Sequence, residues 1–190
     1  MALFRQAGVD LAVTLKETRK LRHDVDGLRV LVVRAQDVPT YVEHGAADLG
    51  IAGADVLAEE RPDVYEPLDL GLGACRMVVA EPGDRPVDER GLVHVRIASK
   101  YPQVTRQYLQ RRGLFAEVIK LYGSVELAPL TGLADRIVDL VSSGETLRQH
   151  GLVEVDTIMQ VTSRLIVNEA SLKVRGAEVD ALVDRLRRLV

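Results

Sequence analysis

ELAPLTGLADRIVDLVSSGETL, residues 126–147, packs a strand, a turn and a helix start into one short stretch. Ile137, Val138, Asp139 and Leu140 form a short apolar strand. Ser142, Ser143 and Gly144 turn the chain, and Glu145 to Gln149 open a helix that Gly151 ends. A hydroxyl- and glycine-rich turn leading into a helix N-terminus makes an anion site. The first backbone N–H groups of a helix lack partners within it, and the helix dipole favours negative charge. Ser142, Ser143 and Thr146 add hydroxyl donors suited to phosphate oxygens. Asp139 has the wrong charge for phosphate but is well suited to accept from two vicinal hydroxyls. A sugar phosphate carries both kinds of group. The plainer alternative is an ordinary capped helix behind a buried strand, and the loop alone leaves the two readings level.

The alternation of strand and helix continues outward from this stretch. Before it, His94 to Ala98 reads as a strand, Gln103 to Arg112 as a helix ended by Gly113, and Phe115 to Leu121 as a strand. After it come strands at Val153 to Val155 and Val161 to Val167. An amphipathic helix follows from Ala177 to Val190, with Val179, Leu182, Val183, Leu186 and Val190 on one face. The segment EPGDRPVDERG (81–91), with two prolines and two glycines, reads as a surface loop just past a domain boundary.

An earlier block has the same alternation. Leu28 to Val33 is apolar apart from Arg29 and long enough for a strand buried on both faces. Asp37 caps a short helix with Pro39 in its first turn and Gly45 at its end, Asp48 to Gly53 is a strand, and Ala54 to Glu60 a helix. Strands follow at Tyr65 to Leu70 and Ala74 to Ala80; the GLG between them lacks the third glycine and the helix of a dinucleotide fingerprint. Leu3 to Gly8 reads as the closing turn of a helix, Leu11 to Leu15 as a strand, and the charged run Lys16 to Asp26 as a solvated connection. The pattern predicts two α/β blocks with mostly parallel sheets.

Composition bounds the function. The chain has 190 residues, 47% of them hydrophobic, enough for one large or two small cores. A net charge of −3 offers no global basic field for nucleic acid or an anionic membrane. The single cysteine, Cys75, excludes an internal disulfide, and no apolar run is long enough to span a bilayer, so a cytoplasmic protein is expected. The histidines lack metal-ligand spacing; His44 and His150 read as helix-end residues, and Cys75 as buried rather than reactive. Ser142 and Ser143 lack the nucleophile-elbow pattern of a hydrolase.

The spacing E-x5-G-x-A-x2-I-x-D-L-x2-S-G-x-T-L, from Glu126 to Leu147, resembles the signature of the ATP phosphoribosyltransferase family. Other blocks agree in order: VRAQDVPTYVEHGAADLGIAG (33–53), YEPLDLGLGACRMVVA (65–80), RIASKYP (96–102), KLYGSVELAPL (120–130) and SRLIVNEASLK (163–173). The resemblance implies an α/β, two-lobed fold of the type II periplasmic-binding-protein kind. Lobe I would be residues 1–75 plus 155–190, and lobe II residues 76–154. The family opens with a strand and a basic glycine turn, then a helix whose end matches Leu3 to Gly8, so lobe I is expected to lack its first strand here.

The resemblance also implies a chemistry: transfer of 5-phosphoribosyl from phosphoribosyl pyrophosphate to N1 of ATP, releasing pyrophosphate with Mg2+ present, as the first step of histidine biosynthesis. Asp139 would hold the ribose hydroxyls, and Ser142, Ser143, Gly144, Glu145 and Thr146 the 5-phosphate. Gly123 and Ser124 would form a turn near the pyrophosphate. Glu126 would reach the sugar or a magnesium-bound water, unless it is only an acid near a helix cap. Magnesium would be held mainly by substrate oxygens, with no direct protein ligand. For ATP the candidates are Arg34 and Asp37, which could equally be an ion pair, Arg76, which could be a hinge ion pair, and Lys100 with Tyr101, one on phosphate and one stacked on adenine. The chain resembles the short form of the family, so a homodimer within a hetero-oligomer is expected, with a regulatory subunit similar to histidyl-tRNA synthetase. The fold alone also permits a two-lobed anion- or nucleotide-binding module without catalysis.

Overall fold

A computed structural model describes residues 2–12, 14, 19–87 and 94–190. The chain forms two compact units. Unit 1 comprises Met1–Leu57, Arg61–Leu72 and Thr162–Val190; unit 2 comprises Ala58–Glu60 and Gly73–Val161. The expected second boundary at 154/155 falls inside one strand, Leu152–Val161, whose ladder with Cys75–Pro82 keeps it whole within unit 2.

Unit 1 is built on a three-stranded sheet of order β3-β10-β4, formed by β3 (Leu49–Gly53), β4 (Tyr65–Asp69) and β10 (Ser163–Val167). Strand β10 ends in the apolar run Leu165–Val167, whose two faces are both covered, and successive side chains alternate between them. Leu165 and Val167 meet Phe4 of α1 (Ala2–Gln6) and Val179, Leu182, Val183 and Leu186 of the long C-terminal helix Glu169–Arg187. Ile166 faces the other way, onto Val42 of α2 (Val38–Glu43) and Leu57 of α3 (Ala54–Glu60). Each such side chain contributes about 1.5–3 kcal/mol on burial. Within the C-terminal helix, Val190 of the expected apolar face lies beyond the last turn and is exposed.

The structure corrects three expectations in unit 1. Its sheet is not mostly parallel: β10 runs antiparallel to both β3 and β4, because the returning chain lies between strands that point the same way. Leu28 to Val33 is not a doubly buried strand. Among the described residues Leu28–Leu31 (β2) pairs only with Arg22–Val25 (β1) in a separate hairpin, with Leu28 39% and Val32 38% exposed. The turn between them is Asp26-Gly27, with φ of +49° and +79°, the conformation a two-residue type I′ hairpin demands and the dipeptide that favours it. Thus Arg22–Val25, within the supposed solvated connection Lys16 to Asp26, is a strand. Finally, Ala12 and Thr14 of the expected strand Leu11 to Leu15 are helical, with the carboxylate of Asp10 accepting from the Ala12 N–H at 3.0 Å; Val13 and Leu15 lie outside the described residues.

Unit 2 carries a five-stranded sheet of order β7-β6-β8-β5-β9, formed by β5 (Cys75–Pro82), β6 (Arg96–Ser99), β7 (Glu117–Lys120), β8 (Arg136–Val141) and β9 (Leu152–Val161). Strands β6, β7 and β8 are parallel, whereas β5 is antiparallel to both β8 and β9. Helix α4 spans Pro102–Arg112 and ends at Gly113 as expected. Two short helices, α5 (Leu127–Leu130) and α6 (Glu145–Gln149), place Ala128 and Leu147 in a core with Val78, Ala80, Ile137 and Val141. The start of β8 is pinned by a buried pair, Arg136 Nε donating to Glu81 Oε2 at 2.7 Å. Removing one partner of such a pair costs about 3–5 kcal/mol. The loop expected at 81–91 begins only after Pro82, and its residues 88–91 lie outside the described residues. Among the described residues no helix is long and apolar enough to cross a membrane.

Candidate anion and sugar site in unit 2

Because β6, β7 and β8 are parallel neighbours, their C-terminal ends open on one edge of the sheet, where α/β folds place ligands. The register aligns Ser99 with Val138 and with Lys120. Lys100 therefore leaves β6 beside Asp139, and the Leu121–Ser124 turn leaves β7 at the same edge. Asp139 is half-buried near the end of β8, and its Oδ1 accepts from the Leu140 N–H at 2.8 Å. Burial lifts its carboxyl above the usual aspartate range and the charge of Glu126 adds to the rise, while the Leu140 N–H and the Lys100 ammonium oppose it. Three charged groups from three segments thus share one field.

Glu126 occupies the N-cap position of α5 yet makes no capping bond with its side chain, so its carboxylate is not committed to the helix. Ser124, in the preceding turn, lies in the left-handed region at φ +48°, a conformation costing about 1–2 kcal/mol outside glycine. The buried side chain of Val125 anchors this turn to the core.

After β8 the chain turns through exposed Ser142 and Ser143 to Gly144, at φ +76°, and enters α6 with Glu145 and Thr146 also exposed. Ser143 Oγ accepts from the Glu145 N–H at 3.3 Å, so the capping and anion-binding readings of this loop coexist. Leu147, buried in the core, fixes the helix behind the loop. His150 ends α6 and His44 ends α2, as expected of helix-end residues.

Several candidates fall elsewhere than expected. Arg76, at the start of β5, belongs to this loop: its Nη1 donates to the Ser142 carbonyl at 3.2 Å, and its guanidinium pairs with Glu154 of β9. Sequence reading missed Glu154, since nothing in the order of residues says that β9 runs beside β5. Tyr101 is 5% exposed, so its ring is packed inside rather than offered to adenine; its backbone N–H donates to Ser99 Oγ at 2.9 Å. Lys100 is charge-coupled to Asp139 instead of forming a unit with Tyr101. Arg34 and Asp37 lie in unit 1, both exposed; the Asp37 N–H donates to the Arg34 carbonyl at 2.9 Å, and among the described residues no ion pair joins their side chains. Cys75 is half-buried rather than fully buried.

Among the described residues no three His, Cys, Asp or Glu side chains cluster as a metal cage. Two carboxylates in one field, Asp139 and Glu126, do fit a magnesium ion carried mainly by phosphate oxygens, which needs only one or two protein carboxylates.

The fold defines a two-lobed α/β protein of the periplasmic-binding-protein kind, with a hydroxyl- and glycine-rich loop on a parallel sheet edge. The substrate-binding protein of an amino acid ABC transporter superposes with a TM-score of 0.58 over 84% of this chain and 72% of that chain, and at 16% identity shares the fold alone. The ATP phosphoribosyltransferase family matches residues 34–188. ATP phosphoribosyltransferase 2 of Geobacter sulfurreducens is 53% identical over all of this chain and 92% of its own length, and the ATP phosphoribosyltransferase of Acidithiobacillus ferrooxidans is 54% identical over 99% and 90%. A chain of the ATP phosphoribosyl transferase (HisG:HisZ) complex from Thermotoga maritima superposes with a TM-score of 0.80 at 34% identity, over 94% of this chain and 90% of that chain. This chain belongs to the ATP phosphoribosyltransferase family.

Proposed function

We propose that this chain transfers the 5-phosphoribosyl group of phosphoribosyl pyrophosphate to N1 of the adenine of ATP, as the catalytic short form of its family at the entry to histidine biosynthesis. The observation that carries the reading is the convergence of Asp139, Glu126 and Lys100 with the Ser142–Thr146 loop at one sheet edge, in a chain of this family.

Cleavage of the C1–oxygen bond to pyrophosphate runs ahead of C1–N1 bond formation, so positive charge builds on the ribose ring in the transition state. No protein nucleophile is required, so the residues act by position and charge. Asp139 accepts from the ribose hydroxyls and faces the developing cation. Ser142, Ser143 and Thr146 donate hydroxyls to the 5-phosphate, and Gly144 and Glu145 offer backbone N–H groups. Lys100 answers the pyrophosphate charge, and Gly123 and Ser124 line its exit with Glu126 at the sugar. Glu126 or Asp139 would stand behind a Mg2+ held mainly by substrate oxygens, and the ion would supply positive charge against the leaving pyrophosphate. Arg34 and Asp37 are assigned to ATP. Work in the cytoplasm, a homodimer, and a histidyl-tRNA synthetase-like regulatory subunit complete the proposal; the complex of the Thermotoga maritima relative supports the last.

The test is turnover: product absorbance with ATP, phosphoribosyl pyrophosphate and magnesium, with and without the regulatory subunit. Slow product formation by the chain alone, unaffected by histidine, is expected. Binding of both ligands with no product under either condition would reduce the protein to a binding module.

A further inference from the structure

Arg76 and Glu154 stand out because both are charged and both are only about a third exposed. Arg76 is the second residue of β5 and pairs in register with Val141, the last residue before the loop. Its Nε donates to Glu154 Oε2 at 2.9 Å, and Nη2 meets Glu154 Oε1 as the second arm of a two-pronged pair. The remaining Nη1 donates to the carbonyl of Ser142. A Cβ built on Gly144 would lie 3.5 Å from Glu154 Oε1 and 4.0 Å from Arg76 Nη2, so the pair lies directly beneath the turn.

We infer that Glu154 and Arg76 are positioning residues for the phosphate loop, a strut in which Glu154 locks the guanidinium so that it holds the Ser142 carbonyl down and leaves the loop's N–H groups and hydroxyls free for a 5-phosphate. The inference rests on the proposed phosphoribosyl site. The pairing geometry supports it: a planar guanidinium held at two nitrogens has one orientation, and a lysine could not reproduce it. A peptide carbonyl turned inward presents the neighbouring N–H groups outward, the arrangement an anion needs. Charge bookkeeping alone predicts the opposite of a strut. Glu154 places a negative charge beside a site for a polyanion, so its removal should tighten binding if its only effect were electrostatic.

The test uses the full chain and two readouts. Hydrogen exchange in the absence of ligand should find the amides of residues 142–149 exchanging faster in Glu154→Ala, with the protection of β6 and β8 unchanged. Titration with phosphoribosyl pyrophosphate should find Glu154→Ala weaker by about tenfold, the loss that follows from a loosened charged hydrogen-bond set. Glu154→Gln should recover part of it, Arg76→Lys should resemble Glu154→Ala, and kcat at saturation should fall much less than affinity. Unchanged exchange, or tighter binding by Glu154→Ala, overturns the strut while the phosphoribosyl site stands. A wild-type chain that does not bind phosphoribosyl pyrophosphate would remove the site itself, and this inference with it.

Discussion

Asp139 and Asp37 both lie close behind strand residues that the sequence marks as apolar, yet their surroundings differ. Asp139 sits in β8, an interior strand flanked by β6 and β5, where burial and the charges of Glu126 and Lys100 act on it together. Asp37 follows β2, one arm of an exposed hairpin, and at the N-cap position of α2 it makes no capping bond with its side chain. A strand end becomes reactive ground when its neighbours remove water and bring further charges within a few ångströms, because Coulomb interactions strengthen as the local dielectric falls. Position at the C-terminal side of a strand supplies neither by itself.

The sharpest way to break this contrast is Asp139→Asn. The change keeps shape and removes the charge proposed to face the developing cation, so kcat should fall by roughly 10²- to 10³-fold with a smaller loss in affinity for phosphoribosyl pyrophosphate. Steady-state kinetics with both substrates varied decide it, and unchanged turnover would strip Asp139 of its role. Gly144→Val comes next. A branched side chain at φ +76° is strained by about 1–2 kcal/mol and crowds the Arg76–Glu154 pair below, so the loop should shift and phosphate affinity drop by more than tenfold.

Asp139 should also leave a mark on stability. Its folded-state carboxyl titrates above the ordinary aspartate range, so the native state holds a proton that the unfolded chain has released. Stability therefore falls as pH rises through the window from the unfolded value up to the raised one, and the cost persists above it. Asp139→Asn should flatten that window and raise Tm at neutral pH even as it lowers turnover, which thermal melts across pH beside the kinetics would check. The smallest effect belongs to unit 1: exposed Arg34→Ala should change stability by less than about 0.5 kcal/mol and weaken ATP while leaving phosphoribosyl pyrophosphate affinity unchanged.

Much of unit 2 was legible because its signals are local. The apolar run Ile137 to Leu140, the turn at Ser142 to Gly144 and the glycine stops at Gly113 and Gly151 are set by residues next to one another, and the structure has them where they were expected. In unit 1 the dipeptide Asp26-Gly27 is an equally local hairpin signal, and it ties Leu28–Leu31 to Arg22–Val25 where the apolar run Leu28 to Val33 suggests a buried strand. Pairing across the chain was not legible at all. The burial of Tyr101, the descent of Arg76 beneath the loop and its engagement by Glu154 depend on which strands become neighbours, and residues 76 and 154 meet only through the sheet order β8-β5-β9.

The central claim is that the Ser142–Thr146 loop binds the phosphoribosyl donor and not ATP. Calorimetric titration of wild type and Thr146→Ala with each ligand separately tests it most directly. The account predicts a loss of about 1–3 kcal/mol for phosphoribosyl pyrophosphate, the scale of one hydrogen bond to a charged group, with ATP affinity unmoved. Equal losses for both ligands, or none for either, would make the loop a helix cap and nothing more.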